Sequence, residues 1–244
     1  MRTAVVTAVV AAVACAGPAM AGCGSRAAPG VDWSGCPKNL IVIPGSELAG
    51  ATLTGTNFTS TDLSDSNLEG ANLDGANLTY TSLKGAKMAG VSMHKTFGMR
   101  CNLEGADLSG GKLAYVEFYR ANFKGTDFSG ADLSRGGMPR SDFTGANLSD
   151  ADMSKADAIR SVFDGADLTN AKLGFAIVAR ASFVGAKLKG SDWSHAYLYR
   201  TNIAGTDLSG VSGLTREQVE MACGDDGTVL PAGIAAPEKW ACED

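Results

Sequence analysis

A five-residue periodicity that runs through residues 46–210 most constrains what this chain can fold into. Its central position falls at Leu48 and at every fifth residue up to Leu208, which gives 33 centres without an insertion or deletion. Every centre is apolar except Gly98, and a small residue always stands two places before the centre. The residue between them is Asn or Asp in 18 of the 33 units. A period of five matches neither the 3.6 residues of a helical turn nor the alternation of a long strand, so it predicts a repeat architecture.

Each five-residue unit has the composition of a short strand followed by a corner. The small residue and the large centre are two places apart, so in an extended conformation they share one face. Gly, Asp, Asn and Ser collect near the end of the unit and favour a turn. Successive corners would close the chain into a coil, and stacked coils would form backbone ladders about 4.8 Å apart.

A second period of 20 residues indicates how many units make one coil. Gly recurs every 20 residues from 85 to 205, and Phe occupies the centres at 123, 143, 163 and 183. Arginine recurs with the same period at Arg100, Arg120, Arg140, Arg160, Arg180 and Arg200. Twenty residues hold four units, which predicts a square coil, and 33 units give about eight coils in a rod roughly 40 Å long. The phenylalanine centres should stack along one inner wall.

The first 21 residues have the features of an export signal. Arg2 precedes an uncharged run rich in Ala and Val, and an Ala-Met-Ala motif predicts cleavage after Ala21. Residues 20–23 (Met-Ala-Gly-Cys) also resemble a lipoprotein box, so a lipid anchor on Cys23 is the alternative. The sequence therefore predicts an exported protein, periplasmic or secreted, with no transmembrane segment in the mature chain.

The cysteines agree with an oxidising compartment. Cys101 occupies a small-residue position of the repeat, which predicts a buried free thiol. Of the other cysteines in the mature chain, two lie near each end of the repeat, and their simplest pairing is Cys23 with Cys36 and Cys223 with Cys242. No cysteine and histidine cluster has zinc-site spacing, so no metal or other cofactor is expected.

The segments on either side of the repeat are predicted to cover its ends. Residues 22–45 are interpreted as a linker and N-terminal cap, in which Trp33 either packs on the first coil or stacks on a ligand. Residues 211–244 are interpreted as a C-terminal helix and a disulfide-stapled cap. The helix is expected over 214–223, with Thr215 as its N-cap and Gln218 completing a capping box. Within the repeat, Gly98 should leave a gap or admit Phe97.

Residues 71–75 (Ala-Asn-Leu-Asp-Gly) and 106–110 (Ala-Asp-Leu-Ser-Gly) resemble the units of the pentapeptide-repeat family. The resemblance implies an all-β fold, a right-handed quadrilateral parallel β-helix, and a function without catalysis. The best-understood members are acidic cytoplasmic proteins that mimic DNA and protect DNA gyrase. This chain departs from them in its export signal, its paired cysteines and its nearly neutral repeat. In some members a C-terminal helix forms a dimer, which implies either a monomer or a homodimer through an end cap.

Folding the repeat into four faces separates a variable half from a regular half. From residue 91 to residue 200 the faces centred at Met93 and Gly98 carry eleven Lys or Arg residues against five acids. The opposite faces carry eight acids and only three lysines between residues 101 and 210. The basic half also places large side chains at outward positions. The candidate binding face comprises Arg100, Arg120, Arg140, Arg160, Arg180, Arg200, Tyr119, Tyr197 and Tyr199.

Three classes of function follow from this pattern. The first is a non-catalytic interaction scaffold that presents the basic and aromatic face to a protein or to an anionic envelope component. The second is a passive structural envelope protein, in which the arginines stack on Tyr or pair with Asp157 and Glu117. An enzyme is not expected, because His195 and Asp192 occupy ordinary repeat positions and no nucleophile or metal motif accompanies them. Nucleic acid is not the expected partner, and gyrase binding is a minor alternative.

Overall fold

The computed structural model describes residues 22–242, and in them the backbone winds into stacked square coils. Parallel bridges join residues 20 apart along the chain, as between Asn102 and Asn122 and between Asp107 and Asp127. Each unit contributes one bridged residue, then its apolar centre and a two-residue turn or bend, so the coils are joined by single bridges and not by long strands. The predicted signal peptide lies outside the described residues.

The unit folds in this way because each of its positions has a distinct physical task. The small residue and the centre both point inward and are almost fully buried, as are Ala106 and Leu108. Between them Asp107 closes the turn, because its Oδ1 accepts the Ser109 N–H at 2.9 Å. Where the small residue is Thr, its hydroxyl ties neighbouring coils together; Thr126 Oγ1 donates to the Leu103 carbonyl at 2.7 Å.

The interior is a continuous apolar column with the predicted aromatic wall. The rings of Phe123, Phe143, Phe163 and Phe183 stack in order, with centroids 4.7, 4.7 and 4.8 Å apart. This separation equals one rung of a parallel ladder, so each ring packs on the ring one coil away. The architecture is a parallel β-helix of square coils, as the 20-residue period predicted, and it agrees with the quadrilateral β-helix that the family resemblance implied.

The ladder begins earlier than the sequence predicted. Residues 31–45, interpreted as part of a linker and cap, form three further units, and their bridges run from Asp32 to Thr52, from Pro37 to Asn57 and from Val42 to Asp62. Regular units therefore extend over residues 31–210, which hold nine 20-residue coils rather than about eight. The boundary was misplaced because these units lack the usual pattern: Lys38 occupies a centre and Pro37 replaces the usual Asn or Asp.

The N-terminal end of the rod is closed by a buried lysine and a disulfide. Lys38 is 8% exposed, and its ammonium donates to the Cys23 carbonyl at 2.7 Å and lies 3.7 Å from the centroid of the Trp33 ring. Burial lowers the pKa of Lys38. The Cys23–Cys36 bridge joins the same segment to the first coil, with 5.4 Å between Cα atoms. Trp33 is 1% exposed, so it packs inside the end coil and is not a ligand-stacking residue.

The gap expected at Gly98 is filled from the next coil and not by Phe97. Phe97 points outward and is 42% exposed. A Cβ built on Gly98 would lie 2.8 Å from the ring of Phe118, which is itself fully buried. The missing side chain at Gly98 therefore provides the space that the Phe118 ring occupies. Beside it, Cys101 is a buried free thiol, and burial raises its pKa to about 12.

The C-terminal end is closed by helix α1, Arg216–Glu220, and by the segment after it. The predicted capping box is present: the Thr215 side chain accepts the Gln218 N–H, and the Gln218 side chain accepts the Thr215 N–H. The helix is shorter than the predicted 214–223 and is followed by Met221 as its C-cap. Further along, Cys223 is bonded to Cys242, and Trp240 is 7% exposed.

Candidate interaction flank

The corner residues of the two variable faces adopt a backbone conformation that L-amino acids rarely occupy. From residue 95 to residue 200 these faces have twelve corners, none of which is glycine, and all have φ between 53° and 62°. The corner residues are Lys95, Arg100, Tyr115, Arg120, Arg135, Arg140, Lys155, Arg160, Phe175, Arg180, His195 and Arg200. A left-handed conformation costs a residue with a Cβ about 1–2 kcal/mol. The basic and aromatic side chains of this half, called the variable flank below, therefore stand on strained corners.

The opposite half, called the regular flank, uses the residues that the conformation favours. Of its twelve corners between residues 105 and 210, ten are glycine. The other two are Asp150 and Asn170, with φ of 58° and 59°, and these residue types tolerate the left-handed region. The same turn is thus built from favourable residues on one flank and from Arg, Lys and aromatic residues on the other.

The arginine column is a file of exposed charges. The side chains of Arg100, Arg120, Arg140, Arg160 and Arg180 are exposed, whereas Arg200 is half-buried beside the C-terminal cap. Consecutive corners belong to consecutive coils, so the backbone positions of these arginines lie about 4.8 Å apart along the rod. None of the first five forms an ion pair with any acid of residues 22–242. The pairing with Asp157 and Glu117 suggested for a purely structural column does not occur.

Aromatic rings hold some of these guanidinium groups in position. Tyr119 lies between two arginines, with its ring centroid 5.2 Å from the Arg120 guanidinium carbon and 6.0 Å from that of Arg140. On the neighbouring face Arg135 Nη1 donates to Tyr115 Oη at 2.7 Å. Cation–π contacts of exposed groups are worth about 0.5–1 kcal/mol each, enough to orient the guanidinium groups without burying them.

The remaining aromatic residues of the predicted face lie near its C-terminal end. Tyr197 and Tyr199 are 46% and 42% exposed, and their rings stack with centroids 6.3 Å apart. Phe175 is 56% exposed and stacks on His195 at 4.6 Å. The structure thus places the predicted tyrosines and the arginine column on one side of the rod.

A groove of about 820 Å³ opens on the variable flank between the two corner columns. Its floor runs along the ladder that joins Phe97, Glu117, Gly137 and Asp157, and its rims carry Lys95, Met99, Tyr115, Tyr119 and Arg135. Gly98 and Phe118 also line it. The sequence pattern did not reveal this groove, although the glycines at 98 and 137 were the signal for it, because both replace larger residues of the usual unit.

The residues considered for catalysis are engaged in structural contacts. Asp192 Oδ1 accepts the Ser194 hydroxyl at 2.6 Å and the Ser194 N–H at 2.9 Å. These two hydrogen bonds, with the nearby His195, lower the pKa of Asp192. His195 stacks on Phe175, so the three polar residues form a turn and a ring stack rather than a nucleophile with its base. Residues 22–242 contain no cluster of His, Cys, Asp or Glu suited to a metal ion.

Two further observations concern the cysteines and the helices of the described chain. Both predicted disulfides are present, and the bridge to Cys36 occupies the Cys23 thiol that lipid attachment would require. Across residues 22–242, no helix has the length and apolar character needed to cross a membrane.

Solved structures with the same repeat architecture match this chain. One is QnrB1, a plasmid-mediated fluoroquinolone resistance protein, with 18% identity and a TM-score of 0.57 over 76% of this chain and 92% of that one. Another is HetL, a pentapeptide repeat protein involved in heterocyst differentiation regulation in the cyanobacterium Nostoc, with 24% identity and a TM-score of 0.36 over 79% and 94% of the two chains. The likeness to QnrB1 describes the fold alone. A search of curated proteins found no match.

The family model for pentapeptide repeats matches eight copies in the chain, over residues 44–70, 56–94, 101–135, 140–174 and 179–212. These segments cover more than half of the sequence and most of the square coils. Proteins of this kind generally serve as structural or interaction proteins and not as enzymes. The chain is a member of the pentapeptide repeat family.

Proposed function

We propose that the protein is a non-catalytic interaction scaffold, exported to the periplasm or secreted, that presents its variable flank to a protein or an anionic envelope component. The observation that carries this proposal is the contrast between the two sets of corners. All twelve corners of one flank between residues 95 and 200 are strained and carry charged or aromatic residues, whereas the regular flank keeps glycine, Asp or Asn. Backbone strain concentrates where function requires a particular side chain, and here it coincides with exposed arginines.

The chemistry of the flank suits recognition of carboxylates or phosphates. Exposed guanidinium groups without acidic partners can form paired hydrogen bonds with either anion. Tyr119, which lies between Arg120 and Arg140, adds a rigid aromatic surface of the kind that anchors protein interfaces. The two disulfides support an oxidising location such as the periplasm or the extracellular space.

Charge reversal along the column tests the proposal. The variant Arg120→Glu, Arg140→Glu, Arg160→Glu should lose retention on the cell-envelope fraction and on an anionic resin. The matched control is Lys124→Glu, Lys187→Glu, Lys189→Glu, which changes the net charge equally on the regular flank and should be retained. Retention of the wild type should also fall as salt is added, because exposed charges are screened over about 10 Å at 0.1 M salt. Equal retention of both variants contradicts the proposal.

A passive structural role is the second candidate, and the contacts of Tyr119 and Tyr115 with arginine favour it in part. In that case the arginine and tyrosine side chains would only shield the wall of the β-helix, and a pull-down with the protein would recover no stoichiometric partner. A gyrase interaction of the DNA-mimic type is the third candidate, implied by family resemblance. It predicts that the purified chain alters gyrase supercoiling, which the arginine-rich flank does not favour.

A further inference from the structure

The floor of the groove on the variable flank carries acidic side chains, whereas its rims carry Lys95 and Arg135. Its floor is a single file of outward positions at which the ladder joins Phe97, Glu117, Gly137 and Asp157. Two carboxylates therefore stand two rungs apart, about 10 Å along the rod, with a glycine between them. No cationic side chain of residues 22–242 forms an ion pair with either carboxylate.

Gly137 leaves an open slot between the two acids. A Cβ built on this residue would meet only the Val116 carbonyl oxygen, at 3.9 Å, so the space above the backbone is free. Asn or Asp usually occupies this place in the unit, and either would fill the slot. Asp157 is held in position because its Oδ1 accepts the Ile159 N–H at 3.0 Å.

Aromatic side chains, together with Lys95, Arg135 and Pro139, line the groove around the slot. Tyr115 is fixed by its hydrogen bond from Arg135, and Tyr119 is flanked by Arg120 and Arg140. Phe97 lies one rung from Glu117 on the same ladder and is 42% exposed. A planar cation suits such a site, because it can form charge-assisted hydrogen bonds of about 2.8 Å with carboxylates and stack on aromatic faces.

We propose that the groove receives an arginine side chain of the protein partner, held between Glu117 and Asp157 above Gly137. This inference rests on the proposed function and deepens it, because it selects a folded or peptide partner over a uniform polyanion. A uniform polyanion would meet the arginine column favourably but would be repelled at Glu117 and Asp157. A protein segment with one arginine between acidic residues is complementary to both features, so the acids in the groove act as a specificity device.

The test uses a defined peptide and the purified full chain. An acetylated and amidated heptapeptide, Glu-Gly-Gly-Arg-Gly-Gly-Glu, is compared with the same peptide carrying neutral citrulline in place of arginine. The arginine peptide should bind about tenfold more tightly, because neutral citrulline loses the charge pairs with both exposed Glu117 and half-buried Asp157. Equal affinity of the two peptides, or no binding of either, would overturn the inference.

Two variants locate the effect in the groove. The isosteric pair Glu117→Gln, Asp157→Asn should reduce the affinity for the arginine peptide to that for the citrulline peptide. Gly137→Asn should do the same by filling the slot, and it restores one of the two residues, Asn and Asp, that usually occupy that place of the unit. Both changes leave the inward residues intact, and circular dichroism of the variants checks that the coils are retained.

A matched control on the regular flank separates local recognition from a general charge effect. Asp127 and Asp167 also stand two rungs apart on one ladder, with Asn147 between them. The variant Asp127→Asn, Asp167→Asn should bind the arginine peptide as the wild type does, and an equal loss would refute a specific groove. If the three arginine-to-glutamate changes abolish envelope retention while citrulline has no effect, the proposed function stands and the groove inference fails.

Discussion

Replacing a corner arginine by glycine should stabilise the protein, although such a change normally destabilises a folded chain. Arg160 is the cleanest position because its φ is 59°, its side chain is exposed, and no acid or aromatic ring pairs with it in the described structure. Its N–H donates to the Ala179 carbonyl at 2.9 Å, a backbone bond that glycine preserves. The substitution therefore isolates the conformational cost of the corner.

The magnitude follows from two opposing contributions. Relief of the left-handed conformation should contribute about 1–2 kcal/mol to the free energy of unfolding. The greater freedom of glycine in the unfolded chain removes about 0.5–1 kcal/mol. We expect Arg160→Gly to raise the free energy of unfolding by a net of about 0.5–1 kcal/mol, which corresponds to about 1–4 °C in Tm for a chain of this length.

The assay is urea and thermal denaturation of wild type, Arg160→Gly and Arg160→Ala. Alanine keeps the strain and should change the free energy of unfolding by less than about 0.5 kcal/mol. The reciprocal change Gly165→Ala on the regular flank places a Cβ in open space at φ of 66° and should destabilise the protein through the backbone alone. If Arg160→Gly is no more stable than Arg160→Ala, corner strain does not distinguish the flanks and the reasoning fails.

Three further predictions concern the interior and the N-terminal end. Gly98→Ala should lower the free energy of unfolding by about 1–3 kcal/mol, because the new methyl group overpacks against Phe118. Adding Phe118→Leu to the same chain should recover part of that loss. If a denaturation assay shows that the losses of the two substitutions simply add, the prediction is wrong. Cys101, with its pKa raised to about 12 by burial, should resist iodoacetamide at pH 8 until the protein is unfolded, whereas labelling of the native protein would refute its placement. Lys38→Ala should accelerate hydrogen exchange of the Gly30 N–H, which bonds to the Ala49 carbonyl, and unchanged exchange would show that Lys38 does not hold the end.

The square coil could be predicted from sequence because its causes are local and repeated. Every unit independently requires a small residue and an apolar centre on the same face. The 20-residue spacing of Arg and Phe indicates that four five-residue units make one coil. The first three units were not predicted because Lys38 replaces the apolar centre of one of them. Its ammonium is tolerated there because it donates to the carbonyl oxygens of Cys23 and Ser25 and lies over the ring of Trp33.

The groove could not be predicted because it depends on contacts between coils. Gly98 indicated that a side chain is missing from one centre of the core. The sequence did not show that the ring of Phe118, 20 residues later, would fill that space while Phe97 points outward. Similarly, the pairing of Glu117 and Asp157 with arginine was a reasonable expectation from composition. Their positions along the ladder instead leave both acids facing the slot above Gly137.

Site-specific photo-cross-linking in the intact cell tests the central claim, that the variable flank is the binding face, most directly. Arg140 and Asp150 are matched sites, since both are corner residues with φ of 60° and 58° and they lie on opposite flanks. A photo-reactive residue at 140 should give one discrete cross-linked species, and unlabelled protein should suppress it by competing for the same partner. The same photo-reactive residue at 150 should give no cross-linked species. A discrete species at 150 alone, or at neither position, would contradict the account.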